Sequence, residues 1–384
     1  MGASFPLISL LALSQSNKEG QTVGTVYFFN ITGNVFGGIA TGFLLLPHLG
    51  TEITLLAFSS VGIFLGLFVT NFAGRNLSFV QRISLILILL TANAIYFPRK
   101  SELYETLHPQ DKSSAIYLEE GIDGIVVTYQ QGGDNVSNYI NGVGHGYRPG
   151  YGFYYETIEA MSFAPKVENV LIIGYGLGAT TETILKMEDV RKVTLVEISN
   201  TLIKNLKKMP FFNEMLTDSR IDLIIDDGRR FLLRTQEKFD LILIDPLKTT
   251  TSYSNNLYSH QFFELAHQHL NPGGVFMVWM DENRVMPKTV LSVFDQIRVY
   301  NLKVYNFFCL ASEAPFKINN ERRKSLLNSF SPKERKLISK QGKYLGDQAY
   351  IKEVADRYPI NQDWKPVCEY YLGLKVKERF FLNK

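Results

Sequence analysis

Residues 167–182 read VENVLIIGYGLGATTE: an apolar strand, a Gly-x-Gly-x-Gly turn and the start of a helix. Three more strand ends follow. TLVEIS (194–199) ends a strand on Glu197, LIIDDGRRFL (223–232) ends one near Asp227, and DLILID (240–245) ends one on Asp245. Strand–helix alternation of this kind predicts a parallel sheet with helices on both faces. In open parallel sheets, ligands bind outside the carboxyl ends of the strands. The four ends therefore face one crevice.

Gly174, Gly176 and Gly178 let the backbone turn sharply and approach a ligand without Cβ clashes. Glu197, 23 positions beyond Gly174, suits the ribose because a carboxylate accepts hydrogen bonds from both hydroxyls. GYGLGA also satisfies the Gly-x-Gly-x-x-Ala form of a dinucleotide site, so a nicotinamide dinucleotide has to be weighed. The third element favours a methionine-derived nucleoside instead. Asp227-Gly228 after a third strand supplies an acceptor for an adenine amino group, which has no counterpart in the dinucleotide fingerprint. Alone, Asp227 also reads as an ordinary turn or helix cap; the ordered series is what makes it a site residue.

Working outward, hydrophobic content is 46% and charged content 20%, apolar for a soluble protein, and the excess is concentrated at the N-terminus. Residues 23–47, 53–73 and 77–97 are long apolar runs, and about 20 such residues cross a bilayer. The third carries Arg82 near one end, where snorkelling keeps its charge at the interface. Gly33, Gly37, Gly38 and Gly42 suit close helix packing in lipid. Residues 1–14 are apolar but short, with no basic segment before them, which reads as a short extra helix rather than a cleaved signal. Lys18, Arg75 and Arg82 against Arg99 and Lys100 leave the orientation open. The cytoplasmic supply of nucleoside substrates places the catalytic domain there.

Residues 101–112 read as a polar linker, and 114–146 alternate apolar and polar positions between glycine turns, a small antiparallel β-unit. Residues 153–162 are helix-like. Asn271-Pro-Gly-Gly turns into a fifth core strand, and beyond Cys309 one helical, charged run stands out at 331–340. Residues 317–384 hold 16 Lys/Arg against 8 Asp/Glu, a basic tail that is a solvated face or is drawn to anionic headgroups. Two cysteines, Cys309 and Cys368, cannot form a disulfide framework, and a reducing compartment follows. His260 and His267 share a helix face with His269 nearby, but seven residues apart is wrong for a single-turn metal pair. No metal is expected, since no Cys/His set has zinc spacing. No phosphate loop or nucleophile elbow is present. The domains expected are 1–100 transmembrane helices, 101–150 linker and β-unit, 151–312 nucleoside-binding domain, and 313–384 a basic extension packed on it.

Taken together, VENVLIIGYGLGATTE, VTLVEIS (193–199), DSRIDLIIDDGRRFL (218–232), FDLILID (239–245), NLYSHQFFELAHQHLNPGGVF (256–276) and INGVGHG (140–146) with FYYE (153–156) resemble the spermidine synthase (polyamine aminopropyltransferase) family. GASFPL (2–7), YFFNITGNVFGGIATGFLLLPHLG (27–50) and PINQDWKPVCEY (359–370) resemble its membrane-fused branch, so the likeness covers nearly the whole chain. It implies an α/β fold: transmembrane helices, a small antiparallel β-unit, then a Rossmann-like domain of the S-adenosylmethionine-dependent methyltransferase type. The donor implied is decarboxylated S-adenosylmethionine or S-adenosylmethionine, held by Gly174, Gly176, Gly178, Glu197, Asp227 and Gly228. Asp245 matches the first carboxylate of the family's Asp-x-x-Asp motif, which holds the amine and relieves it of a proton. Glu156, Tyr155 and His145 would surround it. The partners implied are a small amine or related acceptor, the lipid bilayer and a second copy as a homodimer, with no nucleic acid.

Departures from the family pattern are as informative. Lys248 occupies the second acid of the Asp-x-x-Asp motif, Leu177 the acid of the glycine loop, His145 the usual Gln, and Tyr155 the usual His of a Tyr-His-Glu triplet, with Glu156 kept. A doubly cationic diamine needs several carboxylates to offset its desolvation, so Lys248 argues against putrescine bound in the usual manner unless it swings outward. Tyr253 and Tyr258 flank the Asp245 loop as candidate acceptor contacts or as ordinary packing. Aminopropyl transfer is the leading expectation. A methyltransferase using intact S-adenosylmethionine, and a non-catalytic nucleoside-binding membrane module, are the alternatives.

Overall fold

The computed structural model describes residues 4–14, 18–72, 78–97, 99, 102, 104, 115–133, 135–244, 249, 251–281, 284–302 and 306–369. The linker read at 101–112 lies outside them apart from Glu102 and Tyr104. The chain divides into two compact units, Met1–Asp111 with Leu118–Val127 and Lys112–Tyr117 with Thr128–Lys384.

The first unit is built of helices Ser4–Leu13, Glu19–Ala40, Leu46–Phe72 and Phe79–Tyr96, with a π-helical turn at Thr41–Leu45. Glu19–Ala40 buries none of its residues. One helical run, Glu19–Gly66, is long and apolar enough to cross a membrane, whereas Val80–Tyr96 is apolar but shorter. The three runs expected to span a membrane fall largely within these helices, and by length and composition one run among the described residues passes as a span. That run is broken at Gly50, whose φ of +76° leaves the helical region. The Glu120 carboxylate accepts the freed amide of Thr51, supplying the partner that a helix start requires.

Strands β1 (Ala115–Gly121), β2 (Gly124–Gln130), β3 (Val136–Ile140) and β4 (Val143–Arg148) form a four-stranded sheet in that order. Asn141-Gly142 turns β3 into β4 with both residues at positive φ, +50° and +81°, the preference of a two-residue hairpin loop. The β-unit expected from alternation is present.

The second sheet follows the order β12-β10-β11-β9-β8-β5-β6-β7. Its parallel part comprises β5 (Asn169–Ile173), β6 (Lys192–Glu197), β7 (Ile221–Ile225), β8 (Phe239–Ile244) and β9 (Leu270–Met280). This is the doubly wound order, whose direction reverses between β5 and β8, the switch point where such sheets bind ligands. Every residue of β8 is buried, as expected where helices cover both faces. Phe262, Phe263, Phe276 and Phe294 pack the helix His260–Gln268 onto this sheet. The Rossmann-like domain read from the sequence is therefore the observed one.

Beyond β9, the strands β10 (Gln296–Leu302) and β11 (Asn306–Ser312) are antiparallel. β12 (Gly342–Asp347) then pairs antiparallel with β10, between helices Asn320–Asn328 and Pro332–Ile338 on one side and Gln348–Ala355 on the other. The region read as an extension thus supplies a strand of the main sheet. Its sequence, GKYLGD, has neither alternation nor an apolar run, so no local signal marks it.

Candidate functional site

The glycine loop leaves β5 beside both β6 and β8. Gly174, Gly176 and Gly178 have φ of +95°, +54° and +71°, a region that L side chains rarely adopt. The Gly178 amide donates to the Tyr175 carbonyl at 2.9 Å, closing the turn. A Cβ on Gly178 would lie 2.8 Å from the Tyr175 hydroxyl, whereas one on Gly176 would meet nothing within 4 Å. Gly176 thus fronts open space, and Gly178 is required by packing as well as by φ. The Tyr175 side chain turns away from that space, its hydroxyl 3.6 Å from Met215 Sδ, and burial raises its pKa.

Glu197 closes β6. Its Oε2 accepts the Tyr175 amide at 2.8 Å and its Oε1 accepts the Ser199 amide at 2.8 Å. The carboxylate braces the glycine loop and its own turn together. A carboxylate oxygen has more than one acceptor direction, so these bonds leave capacity for further donors.

Asp227 caps the helix Gly228–Arg234: Oδ1 accepts the Arg230 amide at 2.9 Å. The capping alternative is therefore correct as far as it goes, but it uses only one oxygen. Oδ2 accepts from Asn256 Nδ2 at 3.0 Å. Gly228 explains why this third strand end reaches the first. A Cβ there would lie 2.3 Å from Ile173 Cγ2, so the helix start presses against the end of β5.

The β4 hairpin strand is fastened to the same loop. Arg148 donates to the Leu177 carbonyl at 3.2 Å and to Glu182 at 2.8 Å, while its guanidinium lies 4.2 Å above the Phe211 ring. Gly146 neighbours Leu177: a Cβ there would lie 3.9 Å from Cδ1, an ordinary van der Waals contact. His145 is therefore one residue from a glycine-loop contact. Burial pushes its pKa below the ordinary histidine value. Sequence reasoning missed Arg148, since a single arginine at a strand end carries no local signal.

The residues expected from sequence on the acceptor side are only partly described. Asp245 and Lys248 lie outside the described residues. Thr249, fully buried just after them, donates to Asp281 at 2.7 Å. Tyr258 is a core residue whose hydroxyl donates to the Trp279 carbonyl at 3.0 Å, and Tyr253 is 87% exposed. Glu156 is fully buried in the helix Tyr151–Phe163. The Tyr155 ring packs 6.4 Å from Tyr300 and 6.2 Å from Phe308, against Gly342 of β12. Burial and the nearby Glu159 raise its pKa. The structure thus groups the glycine loop, Glu197, Asp227 and the end of β4, and sets Tyr155 in an aromatic cluster with β10, β11 and β12.

The three histidines have other partners: His260 with Ser292 and Glu264, His267 with Glu313, and His269 with the Leu265 carbonyl. No group of three or more metal-ligating side chains occurs among the described residues.

Residues 153–316 match the family model described as Spermine/spermidine synthase domain. A polyamine aminopropyltransferase of Oceanobacillus iheyensis is 25% identical over 320 residues, 79% of this chain and 61% of that protein. Polyamine aminopropyltransferase 2 of Pseudomonas aeruginosa is 32% identical over 178 residues, 42% of this chain and 51% of that protein. The chain thus spans about half to three-fifths of the length of these curated relatives. Among solved structures, a spermidine synthase in complex with the transition-state analogue AdoDATO is 21% identical with a TM-score of 0.48, covering 64% of this chain and 85% of that one. The spermidine synthase of Thermotoga maritima is 19% identical with a TM-score of 0.44, covering 65% and 93%.

Proposed function

We propose, from the match of residues 153–316 to the spermine/spermidine synthase domain, that the protein transfers an aminopropyl group from decarboxylated S-adenosylmethionine to a small amine. The observation that carries this reading is the joining of three strand ends: Glu197 hydrogen-bonded to the glycine loop, and Asp227 drawn to it by Gly228. The residues fit the donor. Gly176 faces open space, Glu197 has acceptor capacity for ribose hydroxyls, and Asp227 Oδ2 has it for an adenine amino group. The donor supplies a sulfonium, whose carbon–sulfur bond breaks with its electrons passing to sulfur, releasing methylthioadenosine. Attack needs the amine's free lone pair, and the new ammonium must lose a proton. In this reading Asp245 orients the amine and accepts that proton, with His145 of the β4 hairpin as a further candidate base, while Tyr155 packs in the aromatic cluster with Tyr300 and Phe308. Burial keeps His145 neutral at pH 7 and so able to accept a proton.

One observation favours a second reading, methyl transfer from intact S-adenosylmethionine. Leu177 puts an apolar side chain, 6% exposed, where an acid would select a donor lacking its carboxylate. Calorimetry of the detergent-solubilised protein against both donors separates the two. Tighter binding of the decarboxylated donor with methylthioadenosine released supports the first, and the reverse preference with S-adenosylhomocysteine the second. Binding without turnover on a broad amine panel would leave a nucleoside-binding module.

The N-terminal helices act, in this proposal, as a multi-pass anchor holding the catalytic domain in the cytoplasm. Phe28, Phe29, Phe36 and Phe43 are each more than 60% exposed, which is costly in water and favourable in hydrocarbon. Asn93 hydrogen-bonds to Ser59 at 2.8 Å and to Ser60 at 3.3 Å, a polar junction of the kind that joins helices in lipid. Extraction by alkaline carbonate without detergent would sink the anchor.

A further inference from the structure

The closing segment 361–369 is woven into the loop that follows the acceptor residues. Asn361, fully buried, donates to Asn255 Oδ1 at 2.6 Å and to the Tyr258 carbonyl at 2.9 Å. Asn255 Nδ2 donates back to the Gln362 carbonyl at 3.2 Å. Glu369 accepts the Tyr253 amide at 2.9 Å. Asp363 takes a forked pair from Arg229, at 2.8 and 2.6 Å, and Arg229 also donates to the Asn256 carbonyl at 3.4 Å. Asn256 in turn donates its side-chain amide to Asp227 Oδ2 at 3.0 Å. Contacts therefore run without interruption from the C-terminal segment to the carboxylate that caps Gly228–Arg234.

The fork matters for where it sits. A partly exposed ion pair adds little to stability, and Asn361 and Glu369 already anchor the segment. Arg229, however, is two residues from Asp227 and touches the backbone of the residue holding Asp227 Oδ2. With Oδ1 taken by the Arg230 amide and Oδ2 by Asn256, the carboxylate has one orientation. A bidentate guanidinium–carboxylate pair adds geometric specificity as well as energy. We propose that Asn256, held by the Arg229–Asp363 fork, is a positioning residue for Asp227, so that segment 361–369 sets the affinity of the nucleoside site. This rests on the reading of Asp227 as the adenine contact.

The test is calorimetric titration of the full, detergent-solubilised chain with methylthioadenosine. Asn256→Ala and Asp363→Asn should each raise Kd about five- to tenfold, the scale of one hydrogen bond. In an Asp227→Asn background, Asn256→Ala should add nothing, because residues acting as one unit are non-additive. The exchange Arg229→Asp with Asp363→Arg should restore most of the affinity, and it stands in if Asp363→Asn does not fold. An unchanged Kd in the single variants, or an undiminished Asn256→Ala effect in the Asp227→Asn background, overturns the inference while the nucleoside reading stands. Failure of the wild-type chain to bind removes that reading and the inference with it.

Discussion

The proposed donor side of the crevice and the acceptor side expected beside it differ in what they are made of. The donor side rests on backbone: three glycines at positive φ, a carboxylate accepting two main-chain amides, and a helix start pressed onto β5 through Gly228. The acceptor side, as expected from sequence, would rest on side chains: Lys248, His145 and Tyr155 depart there from the pattern the chain resembles, and Leu177 is the departure on the donor side. The contrast teaches that a site made of backbone is fixed by φ and close packing at its glycines, whereas one made of side chains is specified residue by residue.

The sharpest way to break this contrast is Asp245→Asn. It should lower turnover by about 10²–10⁴, the usual scale of positioned proton transfer, and leave donor Kd unchanged by calorimetry. A parallel loss of donor affinity would merge the two sides. Asp227→Ala should do the opposite, weakening donor Kd by about 10- to 100-fold, as expected for a hydrogen bond to a charged group, with little change in kcat at saturating donor. Leu177→Asp should sharpen the contrast from the other direction. Restoring an acid to the glycine loop should raise preference for the decarboxylated over the intact donor by about tenfold, one charge-assisted hydrogen bond, read as a ratio of Kd values.

The smallest effect is expected at His145. Burial lowers its pKa, so the neutral form persists as pH falls through the ordinary histidine value near 6.5. If it serves as base, the rate should hold to below that pH and fall on further acidification. His145→Gln should remove that acid limb with only a modest loss at pH 8, measured as a pH–rate profile. An unaltered profile would leave His145 as a hairpin residue alone.

Much of the donor side was legible because its signals are local. An apolar run of five or six residues, a glycine at each left-handed position and an acid at a strand end are all written within a few neighbours. Tyr155 shows the limit. Its place beside Glu156 suggested the crevice, but the ring packs with Tyr300, Phe308 and Gly342, residues that only the antiparallel strands bring near. Likewise, hydropathy marked the N-terminal runs but not the break at Gly50, where the amide of Thr51 finds its partner in Glu120, 69 positions away.

By itself the sequence determined the doubly wound sheet, the glycine turn and the acids at its strand ends, because periodicity and φ preference act over a few residues. Tertiary structure alone decided which atoms those acids hold. Asp227 is fixed through Asn256, 29 positions on, and through an Arg229–Asp363 fork spanning 134. Such bonds form only when a parallel sheet and its closing segment have packed, since the partners have no local pattern that pairs them.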